Sequence, residues 1–254
     1  MAKTLARSAR DYVLGIALPE APAGPAFEST RAPIFSNQKQ AVAIGGQIAE
    51  FTEAVAPDLR TAISDGILLA QLAANKATGG VGDVLDWYNK YVEVLQNIGW
   101  QIKDFDFRRQ QVDNQQLDMH EALIPVITAM LGPHVAAASI VISIFQGLQQ
   151  MDKTRPWITL FDQASQHADG AKFQVGYVDA DAMGQPQISL LCFGIKAQRT
   201  ITQVLFFKSS EESAEIKKAE AKLAVSLERL NSAKDALADR VTPFVSDFVK
   251  NVEI

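Results

Sequence analysis

EALIPVITAMLGPHVAAASIVISIFQGLQQMD, residues 121–152, contains about 30 consecutive positions, 122–151, without an Asp, Glu, Lys or Arg, as long as a bilayer span. Gly132 and Pro133 divide the run into arms at 121–131 and 134–150. As helices these reach about 16 Å and about 25 Å, short of the ~30 Å hydrocarbon core, whereas one kinked helix through both would reach about 45 Å. The stretch therefore predicts an apolar helical hairpin, either permanently buried or released onto lipid. The side chains such a release would insert are Leu123, Ile124, Val126, Ile127, Leu131, Val135, Ile140, Val141, Ile142, Ile144, Phe145 and Leu148. Ser139, Ser143 and Gly147 place small residues at every fourth position of the second arm, the spacing that lets helices pack closely in membranes. In water the hairpin must be covered. Roughly 15 exposed aliphatic side chains at ~1.5–3 kcal/mol each would outweigh the stability of an ordinary domain.

Composition bounds the rest. The chain has 254 residues, 48% hydrophobic and 21% charged, enough for one sizeable core or two small ones. A net charge of -5 without a basic cluster argues against nucleic acid as a partner. Cys192 is the sole cysteine, so neither an intrachain disulfide nor a multi-cysteine zinc site can form. The N-terminal MAKTLARSAR and the APA at 21–23 imitate a leader, but the apolar stretch 13–18 is too short for a signal core. Residues 3–17 instead fit an amphipathic helix, packed on the body or lying on an anionic surface. The compartment is left open, with export in a soluble form and without a cleaved signal as one route.

Working outward, Pro19, Pro22, Pro25 and Pro33 make 18–35 an extended connector. Ile44, Ile48, Phe51 and Val55 suggest a helix over 37–56, and Pro57 starts a second, closed by Gly79, Gly80 and Gly82. GGVGD before a helix could hold an anion on backbone amides, but it lacks the phosphate-loop spacing, so it reads as a turn. Val84, Tyr88, Tyr91, Leu95, Ile98, Ile102 and Phe105 alternate by four and three, which predicts a helix over 83–124. Ile216, Leu223, Leu230, Leu237 and Phe244 recur every seven residues after a capping-box start at Ser209, which predicts another over 209–254. Helices of about 60 Å each imply an elongated antiparallel bundle. Strand character is confined to 173–177, 187–195 and 200–207. Leu190, Leu191, Phe193 and Ile195 make the middle strand apolar on both faces, so this small β-tongue must pack on the hairpin. A short helix at 157–167 joins them.

The expected fold is thus mainly α: a Pro-rich N-terminal region (1–36), a helical tail (37–119 and 209–254), and a head (120–208) carrying hairpin and tongue. In that order of elements the chain resembles α-pore-forming toxins of the cytolysin A and haemolysin BL type, on the strength of residues 122–148, 172–207 and the heptads around them. The resemblance implies a helical tail, a masked hydrophobic head that inserts into lipid, and homo- or hetero-oligomers on the membrane.

Catalysis finds little footing. His120, His134 and His167 have no metal-ligand spacing and no nucleophile motif surrounds them. Asp179 and Asp181 fit a turn better than a cation site, and Cys192 fits a core thiol better than a nucleophile. No cofactor, metal or catalytic residue is expected. Three readings remain: a membrane-active, pore-forming-type protein; a non-enzymatic structural or interaction module whose hairpin never leaves the core; and, behind both, a hydrolase or transferase on this scaffold.

Overall fold

The computed structural model describes residues 8–21, 35–80, 82–102, 105–109, 118–168, 170–197, 201–208 and 215–252. Its elements in chain order are α1 (Ala9–Gly15), β1 (Gln40–Ile44), β2 (Gln47–Phe51), α2 (Pro57–Thr78), α3 (Val84–Asn97), β3 (Trp100–Ile102), β4 (Arg108–Arg109), α4 (Met119–Leu131), α5 (Pro133–Ala136), α6 (Ile140–Gly147), α7 (Pro156–Ser165), β5 (Gln166–His167), β6 (Gly170–Ala180), β7 (Pro186–Lys196), β8 (Glu215–Val225), α8 (Leu227–Phe248) and β9 (Val249–Asn251). Single 3-10 turns lie at Leu148–Gln150 and Val204–Phe206.

Among the described residues nine strands form one sheet in the order β3-β8-β7-β6-β2-β1-β9, with β4 on β8 and β5 on β6. The β2–β6 pair is parallel and the others are antiparallel. Helices cover both faces. One core gathers α1, α2, α3 and α8 against Val42, Ile44, Ala49, Phe51, Val178, Ile188, Leu190 and Leu223. The other gathers α4, α6 and α7 against Ala41, Ala43, Ile48, Phe173, Val175, Leu191, Phe193 and Ile195. Alternate residues of each strand feed opposite cores, as the pleat requires.

This is a three-layer α/β arrangement, and it corrects the expected mainly α bundle. The predicted helix over 37–56 is the β1–β2 hairpin, turned at Gly45–Gly46. Every residue from Ala41 to Phe51 is buried, so no polar alternation marks the strands. The predicted helix over 83–124 stops at Asn97. Gly99 follows at φ +110, a conformation in which a side chain would also meet Arg229 Cβ at 2.7 Å, and the chain then enters β3. The start of the predicted 209–254 helix, like residues 110–117, lies outside the described residues. Its next part is β8, paired with β7 from Glu215 to Ala224. Only from Ser226, whose Oγ accepts the Arg229 N–H, does the expected helix run, with Pro243 inside it.

The strands expected at 173–177 and 187–195 fall within β6 and β7, which pair along their whole lengths. The third, at 200–207, is instead a 3-10 turn where described, and β8 takes its place beside β7. The expected break in the hairpin falls as read: α4 ends at Gly132, and Pro133 opens α5. Pro57 and Pro156 begin α2 and α7.

Candidate functional site

The charge-free stretch forms the outer layer over one face of the sheet. Glu121 Oε2 accepts the Asp118 N–H and so caps α4. His120 Nδ1 lies 2.8 Å from the Leu205 carbonyl, holding α4 to the 204–206 turn. Of the proposed insertion residues, Leu123, Ile127, Val141, Ile142, Ile144, Phe145 and Leu148 are buried in the core beneath. Ile124, Val126, Leu131 and Ile140 pack on it half-buried. Val135 lines a groove of about 240 Å³ with Met130, Leu131, Tyr177, Asp179 and Lys222, between the α4–α5 corner and the sheet.

The small-residue stripe divides. Ser139 is buried as the N-cap of α6, Ser143 is exposed with its Oγ on the Ser139 carbonyl at 3.1 Å, and Gly147 is half-buried beside Met151. The tongue residues lie on both faces of β7, with Leu190 in one core and Leu191, Phe193 and Ile195 in the other. Phe193 stacks on Phe173 at 4.8 Å. Cys192 is buried in the α2–α3 core, where desolvation pushes its thiol well above the ordinary range.

Two residues that the sequence reading passed over fasten the layer. Glu50 of β2 is fully buried and faces α6. Its Oε2 accepts Ser139 Oγ–H at 2.7 Å and Val141 N–H at 3.1 Å, while Oε1 lies 3.0 Å from Lys39 Nζ. Lys39 also donates to the Ala138 carbonyl. The anionic carboxylate thus meets the positive end of α6. The sequence signal was slight: one acid in an otherwise uncharged run from Gln40 to Phe51.

Several polar groups elsewhere bond locally. Asp181 Oδ1 accepts the Met183 and Gln185 N–H groups, the turn role expected of it. Lys172, 4% exposed, touches the Ala164 and Gln166 carbonyls at 3.4 and 3.3 Å and lies over the Trp87 ring. Burial lowers its pKa to about 8. His167 Nε2 lies 3.2 Å from the Gly82 carbonyl, and burial lowers its pKa too. Among the described residues no group of three His, Cys, Asp or Glu could hold a metal ion, and no helix is long and apolar enough to cross a membrane. Three strands also have crossing length: β6, β7 and β8 have 11 residues each, about 36 Å, and a tilted strand crosses in about 9–11 residues.

No protein-family model matches the sequence, and no curated protein matches it. Solved structures show distant likeness. A delta-endotoxin aligns over 70% of this chain and 80% of its own, with a TM-score of 0.39 and 16% identity. The activated Cyt2Ba monomer from Bacillus thuringiensis subsp. israelensis aligns over 70% of this chain and 97% of its own, at 0.37 and 15%. The Evf virulence factor aligns over 87% and 88%, at 0.32 and 13%. Scores this low carry no functional assignment. The expected kinship with the cytolysin A and haemolysin BL type is corrected by the fold: the long helical tail on which that resemblance rested is interrupted by β1, β2, β3 and β8 of the sheet.

Proposed function

We propose that this is a non-enzymatic, membrane-active protein of the pore-forming kind, in which the α4–α6 layer leaves the sheet on contact with lipid. One observation carries the reading: the layer covering Phe173, Val175, Leu191 and Phe193 has no Asp, Glu, Lys or Arg from 122 to 151, and besides its buried residues it carries half-buried Ile124, Val126, Met130, Leu131, Val135 and Ile140. A protein surface normally mixes charge into every helix it shows to water. Here the layer meets little penalty on either side of a water–lipid boundary.

At about 20 Å and about 12 Å, α4 and α6 are too short to span, so they would lie in the interfacial region. Their departure bares β6 and β7. Open strand edges do not persist in hydrocarbon, so strands that enter it must close with those of other copies, and oligomers on the membrane belong to this proposal. Flotation with liposomes and release of trapped dye test it. The expected result is co-flotation and release, with α4–α6 becoming protease-sensitive on lipid. A chain that stays at the bottom of the gradient, with α4–α6 as protected as before, would support the interaction module with a permanently buried hairpin.

A further inference from the structure

We infer that Lys39 and Glu50 form a latch for the α4–α6 layer, and that an anionic lipid headgroup opens it by drawing Lys39 away. The inference deepens the membrane reading above and rests on it for the trigger. Glu50 Oε1 makes no hydrogen bond of its own, so the charge on that oxygen is balanced by Lys39 Nζ at 3.0 Å. The two partners differ in access: the Glu50 side chain is wholly buried, whereas that of Lys39 is 25% exposed. The same ammonium donates to Ala138 in the α5–α6 corner, and the same carboxylate holds Ser139 and Val141 at the start of α6. Through these bonds Ala138, Ser139 and Val141 are joined to the β1–β2 hairpin and the residue leading into it. Removing one partner of a buried pair strands the other charge, which is far more destabilising than never having had the pair. A net-anionic lipid headgroup competing for Lys39 would therefore leave Glu50 charged and unbalanced beneath α6. The seat of the apolar layer would weaken at the moment lipid is near.

Hydrogen exchange read by mass spectrometry tests the latch in two arms, both on the full chain. Without lipid, Lys39→Met should speed exchange over 133–150 by at least about tenfold relative to the rest of the protein, since one partner of a buried pair is lost. Lys39→Met combined with Glu50→Gln should return that segment to near the wild-type rate, because the amide can still accept from Ser139 and Val141 without a charge to balance. Unaltered exchange in the single variant, or no recovery in the double, would overturn the latch. With vesicles, the wild-type segment should open on phosphatidylcholine mixed with phosphatidylglycerol and stay closed on phosphatidylcholine alone. Equal opening on both would overturn Lys39 as the trigger. Absence of binding to either vesicle would overturn the membrane reading, and the trigger with it, while the lipid-free cycle separately decides whether the charge pair holds the layer.

Discussion

On one face of the sheet, Arg60, Gln71, Tyr88 and Tyr91 reach from α2 and α3 to β1, β2, β6 and β7 and the loops around them; on the other, α4–α6 reach it through Glu50 and Lys39 among the described residues. The guanidinium of Arg60 donates to the Val55, Ser36, Gln38 and Thr52 carbonyls, binding the segments that enter and leave the β1–β2 hairpin. Gln71 accepts Gly46 N–H and donates to the Ile44 carbonyl across the turn. Tyr88 Oη lies 2.9 and 2.8 Å from the Phe173 and Phe193 carbonyls and accepts from Gln174. Helix lengths follow the same division: 22, 14 and 22 residues for α2, α3 and α8 against 13, 4 and 8 for α4, α5 and α6. Apolar burial is generous on both sides, so it does not distinguish them. What does is directional bonding, which fixes one face to the strands and leaves the other held mainly by non-directional contact.

The hardest test of that contrast is Arg60→Met. It leaves several buried carbonyls without their donor, so unfolding of the whole chain should be eased by about 4 kcal/mol or more, or the variant should not fold. Urea titration checks it. A loss under ~1 kcal/mol would mean the Arg60 face is no better fastened than the other. Tyr88→Phe is the milder version. It removes one hydroxyl, which Gln174 and two strand carbonyls share, and should cost about 1–3 kcal/mol in the same global transition. If instead it opened only α4–α6, the division between the faces would be misdrawn.

The loosely held face was the more legible of the two in sequence. Its hairpin is written in local signals, with Gly132–Pro133 as the break and Pro156 as the start of α7, and those signals act over a few residues wherever the chain lies. The tightly held face was misread because its decisive contacts are distant. EIKKAEAKLAV, β8, is rich in helix formers and continues the heptad of α8, but Ala219, Ala221, Leu223 and Val225 also alternate with Glu220, Lys222 and Ala224. Pairing with β7 decides between these periods, and single-residue propensity does not carry that information. In β1 and β2, burial on both faces erased the alternation. The remaining clue was Gly45–Gly46 between two apolar runs, a hairpin signature that a four-and-three spacing of Ile44, Ile48, Phe51 and Val55 outweighed. Glu50 could be seen as an isolated acid, but its partners Ser139 and Val141 lie about 90 positions away, beyond any pattern in the chain.

A smaller effect should appear with pH, and on the loosely held side. Asp162 of α7 is buried and accepts the Val204 N–H at 2.9 Å. Burial pushes its pKa up to about 6, against the pull of the Val204 and Leu205 amides and of Lys153. A carboxyl whose pKa is raised on folding keeps its proton in the folded chain after the unfolded chain has lost it. Its contribution to stability is therefore greatest below about pH 4 and falls as pH rises to about 6. The fall should be on the order of 1 kcal/mol, reduced by partial solvation. Asp162→Asn, which keeps an oxygen for Val204, should remove it. Urea midpoints of both proteins from pH 4 to about 7 measure the difference, and parallel profiles would mean that Asp162 titrates as it does in the unfolded chain.

The gentlest perturbation strengthens the weaker face. Gly147 closes α6 with ordinary helical geometry, φ -87, so alanine meets no backbone strain there. A Cβ at this position would touch only Met151 Cε, at 3.4 Å, ordinary contact with the end of a flexible side chain. Glycine costs a helix about 0.5–1 kcal/mol relative to alanine by the freedom it loses, and less near an end, so Gly147→Ala should stabilise α6 by a few tenths of a kcal/mol. The effect on global unfolding should be close to the error of a urea titration. Its value lies in where it shows. Hydrogen exchange should slow over 140–150 and stay unchanged in α2 and α3, because a local gain appears only where opening is local. Dye release from vesicles should be delayed, since the layer that must leave the sheet has become slightly harder to unseat. Leucine at the same site is the contrasting probe. Its branches would crowd Met151 against the layer and should speed exchange over the same residues. If alanine and leucine both sped exchange over the segment, Gly147 would be acting through close helix packing and not through helix stability, and the small-residue stripe would regain the role its spacing first suggested.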